Sequence, residues 1–221
     1  MSTILSTKIL SPNQQELLLN AGIGFVHYDA IQIELLNFEL PQDFDILICT
    51  SQNAVKAFIA KFGAFDMHRC KTLCVGDKTG QLLLDHGANV LYAAENAKQL
   101  AKYIKKEHAT TNLLYLSGNI RRDELPNSLK KAGIKLTEII VYNTQLWPRQ
   151  FEREFDGVLF YSPSGVRSFM AKNDLKNAKS FCIGETTAAE LKLYTDNYII
   201  AEKATVENVL VKAINHNRTN D

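Results

Sequence analysis

The sequence lacks the features that mark metal sites, membrane spans and nucleic-acid interfaces. Of its four cysteines only Cys70 and Cys74 are close together, with no second pair or histidine cluster beside them. Because structural zinc usually takes four cysteine or histidine ligands, we expect no metal site. No apolar run approaches the roughly 20 residues of a transmembrane helix. The formal net charge of +1 offers no bulk attraction to nucleic acid or to an anionic membrane, so neither is an expected partner.

The N-terminal residues also lack a secretory pattern. Residues 1–6 contain no basic stretch followed by an apolar core. Apolar residues make up 46% and charged residues 22% of the chain, which is ordinary for a globular protein in water. We therefore expect a cytoplasmic protein.

An internal repeat is the strongest signal that is present. Residues 44–58 align without a gap on residues 155–169, a shift of 111 positions, and Ala21-Gly22-Ile23 recurs at the same shift as Ala132-Gly133-Ile134. Val75-Gly76-Asp77 returns as Ile183-Gly184-Glu185. The repeat predicts two similar halves, and a cleft between two halves is a common place for a ligand.

Short apolar runs alternate with helical patterns throughout the chain. Ile46-Leu47-Ile48-Cys49 and Val158-Leu159-Phe160-Tyr161 are typical of buried parallel strands, and amphipathic segments follow them. Glycines such as Gly22, Gly63 and Gly133 are expected at helix ends. This alternation predicts an α/β fold in which each half is a parallel sheet flanked by helices.

Polar residues follow the predicted strands at five turns. Ligands of open α/β sheets bind beyond the carboxyl ends of the strands, where free N–H groups of helix N-termini attract anions. Taken singly, each turn is better explained by ordinary helix capping, and binding is favoured only because the pattern recurs. None of the turns is a phosphate-binding loop, which argues against a nucleotide-dependent enzyme. The candidate binding residues are Ser51, Thr79, Gly118, Asn119, Ser162, Ser164, Thr186 and Thr187.

The chain resembles the uroporphyrinogen-III synthase family. The resemblance rests on residues 114–126, on Val141-Tyr142-Asn143-Thr144, and on the turns at Thr50-Ser51, at residues 162–165 and at residues 183–188. Together these motifs cover nearly the whole chain and follow one another along it as they do in the family. It implies two lobes with a cleft, joined by a hinge of two short extended segments near residues 31–33 and 142–144. One lobe would combine residues 1–31 with 145–221, and the other would be 32–144, although the repeat alone is also compatible with two sequential lobes.

The resemblance also implies the chemistry. A cofactor-free, cytoplasmic, monomeric lyase of haem biosynthesis would cyclise hydroxymethylbilane, inverting its terminal pyrrole and releasing water. Tyr142 would be the general acid, since a phenol stays protonated near neutral pH, although a packing role for its ring remains open. Arg121 and Arg122 could bind substrate carboxylates, with Arg121 as the favoured candidate, and both could equally be solvated.

A second interpretation is a non-catalytic, two-lobed binding or sensory module for a small polycarboxylate. Such modules share a hinge and a cleft with two-lobed enzymes, and fold alone does not decide function. A binding module needs no proton donor, so Tyr142 favours the enzyme.

Overall fold

The chain divides into two compact units, and the structure, a computed structural model, describes residues 2–220. Unit 1 takes the chain up to Gln32 and from Gln145 onward, and unit 2 is Ile33–Thr144. The chain therefore passes from one unit to the other twice.

The elements alternate between strands and helices along most of the chain. In chain order they are β1 (Thr3–Ser6), α1 (Pro12–Asn20), β2 (Gly24–His27), β3 (Ile31–Leu35), β4 (Ile46–Cys49), α2 (Gln52–His68), β5 (Lys71–Val75), α3 (Asp77–Asp85), β6 (Asn89–Ala94), α4 (Ala97–Glu107), β7 (Leu113–Gly118), α5 (Glu124–Lys131), β8 (Leu136–Leu146), β9 (Gly157–Phe160), α6 (Pro163–Met170), β10 (Lys179–Cys182), α7 (Glu185–Leu191), β11 (Tyr198–Ile200) and α8 (Val206–Asn220).

The strands form one sheet in each unit. The order is β11-β10-β9-β1-β2 in the first sheet and β3-β8-β7-β4-β5-β6 in the second. The neighbours β9–β1, β10–β9, β4–β5 and β4–β7 all pair in parallel. The predicted α/β class, with two largely parallel sheets flanked by helices, is confirmed.

The central strands are apolar because helices cover both faces of each sheet. In β4, Leu47 and Cys49 belong to the core beneath α2, whereas Ile46 and Ile48 belong to the core beneath α4 and α5. All four are at most 2% exposed. Burying each large side chain contributes about 1.5–3 kcal/mol, which makes this run a strong determinant of the fold.

The two sheets repeat one arrangement with a different chain order. The repeat pairs β4 with β9 and β5 with β10, and the Ala-Gly-Ile matches precede β2 and β8. In sheet order, β6-β5-β4-β7-β8 therefore corresponds to β11-β10-β9-β1-β2. The strands that begin unit 1, β1 and β2, therefore correspond to β7 and β8, which end the repeated arrangement in unit 2.

Glycines follow several helices as predicted, with one difference. Gly22, Gly87 and Gly133 come just after α1, α3 and α5 and have φ values of 72°, 75° and 72°. Gly63, with φ of 83°, lies inside α2, and a second helical stretch continues to His68. The first helical stretch of α2 therefore ends at Gly63 as predicted, and the difference is that a second stretch follows it directly.

The length and polarity of the helices bear on whether any of them could span a membrane. Throughout residues 2–220, each helix is too short or too polar to cross a lipid bilayer.

Candidate active site

A cavity of about 360 Å³ lies at the carboxyl edge of the unit 2 sheet. Its walls come from β7 and β8, from the end of β5, from the turns after β4, β6 and β7, and from the first turns of α4 and α5. Four of the residues predicted from sequence line it, and they are Ser51, Gly118, Arg121 and Tyr142. The cavity thus lies beyond the carboxyl ends of the strands, where ligands of open α/β sheets bind.

Tyr142 lies on β8 with its ring against Gly118. Its side chain is 8% exposed, and Gly118 is its partner in the β7–β8 register, just after an irregularity in the pairing. A Cβ atom at Gly118 would lie 2.4 Å from Cζ and 2.8 Å from Oη of Tyr142. Only glycine leaves room for the phenol in this position at the cavity wall.

Asn119 connects the end of β7 to β8. Its Oδ1 accepts a hydrogen bond of 2.8 Å from the Thr144 N–H, and its own backbone N–H donates to the Tyr142 carbonyl at 3.2 Å. Asn119 does not line the cavity. Its contacts hold the strand that carries Tyr142.

Arg121 is engaged by two carboxylates of the same unit. Its Nε and Nη2 donate to the two carboxylate oxygens of Glu138, the second at 2.8 Å, and its Nη1 donates to Asp123. Burial alone would raise the pKa of the Glu138 carboxyl, but the Arg121 guanidinium outweighs it, so this pKa lies below its ordinary value. Arg121 is thereby fixed at the cavity wall by a bidentate pair.

Arg122 lines the same cavity, and its guanidinium is available to a ligand. Its side chain is exposed, and within residues 2–220 it forms no ion pair. Glu95 and Glu124 also line the cavity, so its charge is mixed. An acidic ligand there would be recognised by directed donors, and Arg122 has the more available guanidinium of the two arginines.

Thr50 and Tyr115 are cavity residues that the sequence prediction did not select. Thr50 directly follows β4, and its Oγ1 lies 2.9 Å from Oη of Tyr115 on β7. Burial raises the pKa of the Tyr115 phenol, and the hydrogen bond to Thr50 only partly offsets this. Thr50 had the same signal as its neighbour Ser51, a polar residue at a strand end, whereas Tyr115 lies in an apolar run with no such signal.

The remaining unit 2 candidates have local roles. Ser51 is the N-cap of α2 and its Oγ accepts from the Asn53 N–H at 3.2 Å. Thr79 is 6% exposed in the first turn of α3 and does not line the cavity. Ordinary helix capping therefore accounts for the hydrogen bond between Ser51 and the Asn53 N–H.

The unit 1 candidates lie after the neighbouring strands β9 and β10. Ser162 caps α6, accepting from the Gly165 N–H at 3.0 Å. Ser164 is 7% exposed and accepts from Nη2 of Arg167 at 3.2 Å. Thr186 is exposed at the start of α7, whereas Thr187 is 1% exposed. Thr186 is thus accessible to a ligand, while Ser162 and Ser164 are already engaged within the chain.

Unit 1 contains a second cavity, of about 160 Å³. Phe155 and Ala178, which line it, precede β9 and β10, so it is at the amino ends of these strands. None of the predicted site residues lines it. Since open α/β sheets bind ligands at the opposite edge, the unit 2 cavity is the better candidate.

Comparison with known proteins gives a consistent family. A curated relative, the porphyrin biosynthesis protein HemD of Ruminiclostridium josui, is 23% identical over 192 residues, covering 78% of this chain but only 38% of the relative. The chain thus matches well under two thirds of that protein's length.

Two solved structures share the fold. The uroporphyrinogen-III synthetase of Helicobacter pylori aligns with a TM-score of 0.76 at 20% identity, over 98% of this chain and 100% of that one. A mutant uroporphyrinogen III synthase of Thermus thermophilus aligns with a TM-score of 0.70 at 13% identity, over 100% of both chains.

The family model described as uroporphyrinogen-III synthase HemD matches residues 14–210, which is most of the chain. This chain belongs to the uroporphyrinogen-III synthase HemD family.

Proposed function

We propose that this chain cyclises hydroxymethylbilane to uroporphyrinogen III, with inversion of the terminal pyrrole and loss of water. Family membership over residues 14–210 supports this activity. The observation that carries it to a site is a phenol, Tyr142, packed against Gly118 in the wall of a cavity that also contains hydroxyl and guanidinium donors.

The proposed reaction begins with departure of the substrate hydroxyl. Tyr142 donates the proton that the leaving oxygen needs, and an electrophilic azafulvene remains. The last pyrrole attacks this centre through its substituted carbon, and the spiro intermediate fragments and recloses with that ring inverted. A proton lost from the ring at the end balances the one donated, so water is the only by-product.

Conformational control is the larger part of the proposed catalysis. Without an enzyme the chain closes at the free carbon of the last pyrrole, which gives the wrong isomer. Holding both ends of a flexible chain in one geometry can contribute several kcal/mol to a barrier. Arg122 and the cavity hydroxyls would hold acetate and propionate groups, while Ser162, Ser164, Thr186 and Thr187 remain predicted contacts.

Isomer analysis tests the activity directly. Hydroxymethylbilane is incubated with the chain, the products are oxidised, and the type I and type III isomers are separated by chromatography. We expect type III in excess of the uncatalysed background, and Tyr142→Phe should slow its formation by about 10²–10⁴-fold, as for other general acids. Type I alone would refute the proposal, and binding without turnover would indicate the non-catalytic module.

We further propose that the chain acts as a cytoplasmic monomer with no nucleic-acid partner. The net charge of +1 and the small-molecule chemistry of the family support this. Size-exclusion chromatography with light scattering should give one chain per particle.

We also propose that lobe boundaries fall near residues 32 and 144. The division of the chain into two compact units at these positions supports this. The isolated fragment 33–144 should then fold cooperatively, as followed by circular dichroism during urea unfolding.

A further inference from the structure

The hydroxyls of Thr50 and Tyr115 form a pair in the unit 2 cavity. Thr50 follows β4 and is partly exposed, whereas Tyr115 on the neighbouring β7 is 2% exposed. Their oxygens are 2.9 Å apart, and both residues line the cavity.

The acidity of the two groups gives this hydrogen bond a direction. A phenol, with an ordinary pKa of about 10, is a far stronger donor than an aliphatic alcohol, and the alcohol oxygen is the better acceptor. Burial raises the pKa of Tyr115 further, so its hydrogen is retained at neutral pH. Either oxygen could donate at this distance, and the difference in acidity makes Tyr115 the preferred donor and Thr50 the preferred acceptor. In that arrangement the Thr50 hydroxyl hydrogen is free to point into the cavity.

The same pairing recurs in unit 1 with the residue types exchanged. Thr50 corresponds to Tyr161 at the 111-residue shift. Tyr115 is the register partner of Ile48, as Ser6 is of Leu159, the residue that matches Ile48. The Ser6 Oγ lies 3.3 Å from Oη of Tyr161. The repeated fold thus keeps a hydroxyl pair at this point although neither residue type is retained.

We propose that Tyr115 is a positioning residue that orients the Thr50 hydroxyl to donate to a carboxylate of the bound substrate. The inference rests on the proposed function and adds a specificity element to it. A freely rotating hydroxyl both donates and accepts, whereas one held as an acceptor by Tyr115 presents its hydrogen outward. The pair thereby favours an anionic oxygen over a donor group at this place in the cavity.

A double-mutant cycle on substrate kinetics tests the proposal. Thr50→Val, nearly isosteric, should raise KM for hydroxymethylbilane about tenfold, the effect of losing one hydrogen bond to a charged group. Tyr115→Phe should raise it about threefold, with kcat within about twofold of the parent in both. Because Tyr115 acts through Thr50, the double variant should match Thr50→Val alone. Independent, multiplying effects would overturn the proposal, as would a Tyr115→Phe variant with unchanged KM.

Thermal stability provides a second readout, which tests whether the hydrogen bond exists, whereas the KM cycle tests its role in binding. Thr50→Val leaves the Tyr115 hydroxyl buried without a partner and should lower Tm. Tyr115→Phe leaves a partly exposed threonine that water can satisfy, and adding it to Thr50→Val should restore most of the lost Tm. Tyr103→Phe, a tyrosine of the same unit stacked on Tyr92 outside the cavity, is the matched control and should change neither KM nor Tm.

A binding version separates this proposal from the proposed function. If the parent chain forms no type III isomer, the enzyme assignment fails, and the same cycle is run on binding of uroporphyrin III, an acidic tetrapyrrole followed by its own fluorescence anisotropy. Non-additive weakening by the two substitutions supports the hydroxyl pair. Equal affinity of the parent, Thr50→Val and Tyr115→Phe for uroporphyrin III refutes it.

Discussion

Replacing Gly118 with alanine should displace the Tyr142 ring and slow turnover while the fold persists. The added Cβ would lie 2.4 Å from Cζ, 2.5 Å from Cε2 and 2.8 Å from Oη of Tyr142. Non-bonded carbons settle at about 3.5–4.0 Å, so the ring must retreat by about 1 Å. Gly118 is not among the glycines with positive φ, and the perturbation is therefore steric rather than a backbone strain.

The size of the effect follows from that displacement. A misplacement of about 1 Å at a reacting group can cost about 10²-fold in rate, so kcat for type III formation should fall by about this factor. Overpacking costs about 1–3 kcal/mol in stability, and for a chain of this length each kcal/mol lowers Tm by about 2–4 °C. Steady-state formation of the type III isomer and a thermal melt measure both quantities on the same sample.

Two further variants identify the cause. Gly80→Ala, whose Cβ would meet Ala93 and Cys74 at an ordinary 3.4 Å, should keep the parent rate. In a Tyr142→Phe background, Gly118→Ala should not lower kcat any further, because its effect on the rate acts through the Tyr142 hydroxyl. A Gly118→Ala enzyme with the parent rate would refute the assignment of Tyr142 as a positioned acid.

Three other predictions address charge and burial. Arg122→Gln should raise KM about tenfold without lowering Tm, because an unpaired guanidinium is lost, and an unchanged KM in steady-state assays would contradict its binding role. Glu138→Gln should lower the free energy of unfolding by about 1–2 kcal/mol at pH 7, because it leaves Arg121 without its bidentate partner. The folded-state pKa of Glu138 is lowered. The loss of unfolding free energy in urea, relative to the parent, should therefore be full above about pH 4.5 and vanish as pH falls through that pKa. Glu107→Gln, which removes an exposed carboxylate paired with Lys106, is the control and should have no effect. A stability difference for Glu138→Gln that persists in acid would refute the pKa explanation. Burial raises the pKa of the Cys182 thiol to about 12. A thiol reagent at about pH 8 should therefore label Cys182 only on unfolding, and rapid labelling of Cys182 in the native protein would contradict this.

Much of the fold was predictable because its causes are local. The apolar run of β4 is buried as expected, and Ser51 and Ser162 both begin helices as N-caps. By contrast, β8 extends over Leu136–Leu146 with only two fully buried residues, and both polar and apolar side chains are exposed along it. Only its Tyr142-Asn143-Thr144 segment was expected to be extended, because a strand at the side of a sheet lacks a continuous apolar run.

The candidate site was predictable only as far as strand ends reveal it. Arg121 and Arg122 are adjacent with equal charge, and nothing in their sequence context separates them. The difference is Glu138, 17 positions away, which β8 brings beside β7 to engage Arg121. Tyr115 was not selected because its hydroxyl lies in an apolar run, and its partner Thr50 is 65 positions distant.

The sequence by itself determined the element types, the repeat and the family, because periodicity, capping and ordered motifs are carried by neighbouring residues. Tertiary structure alone decided which arginine is free, why position 118 excludes a Cβ, and which hydroxyls meet in the cavity. These depend on parallel strands that bring distant residues within hydrogen-bond range, and no local pattern records such a distance.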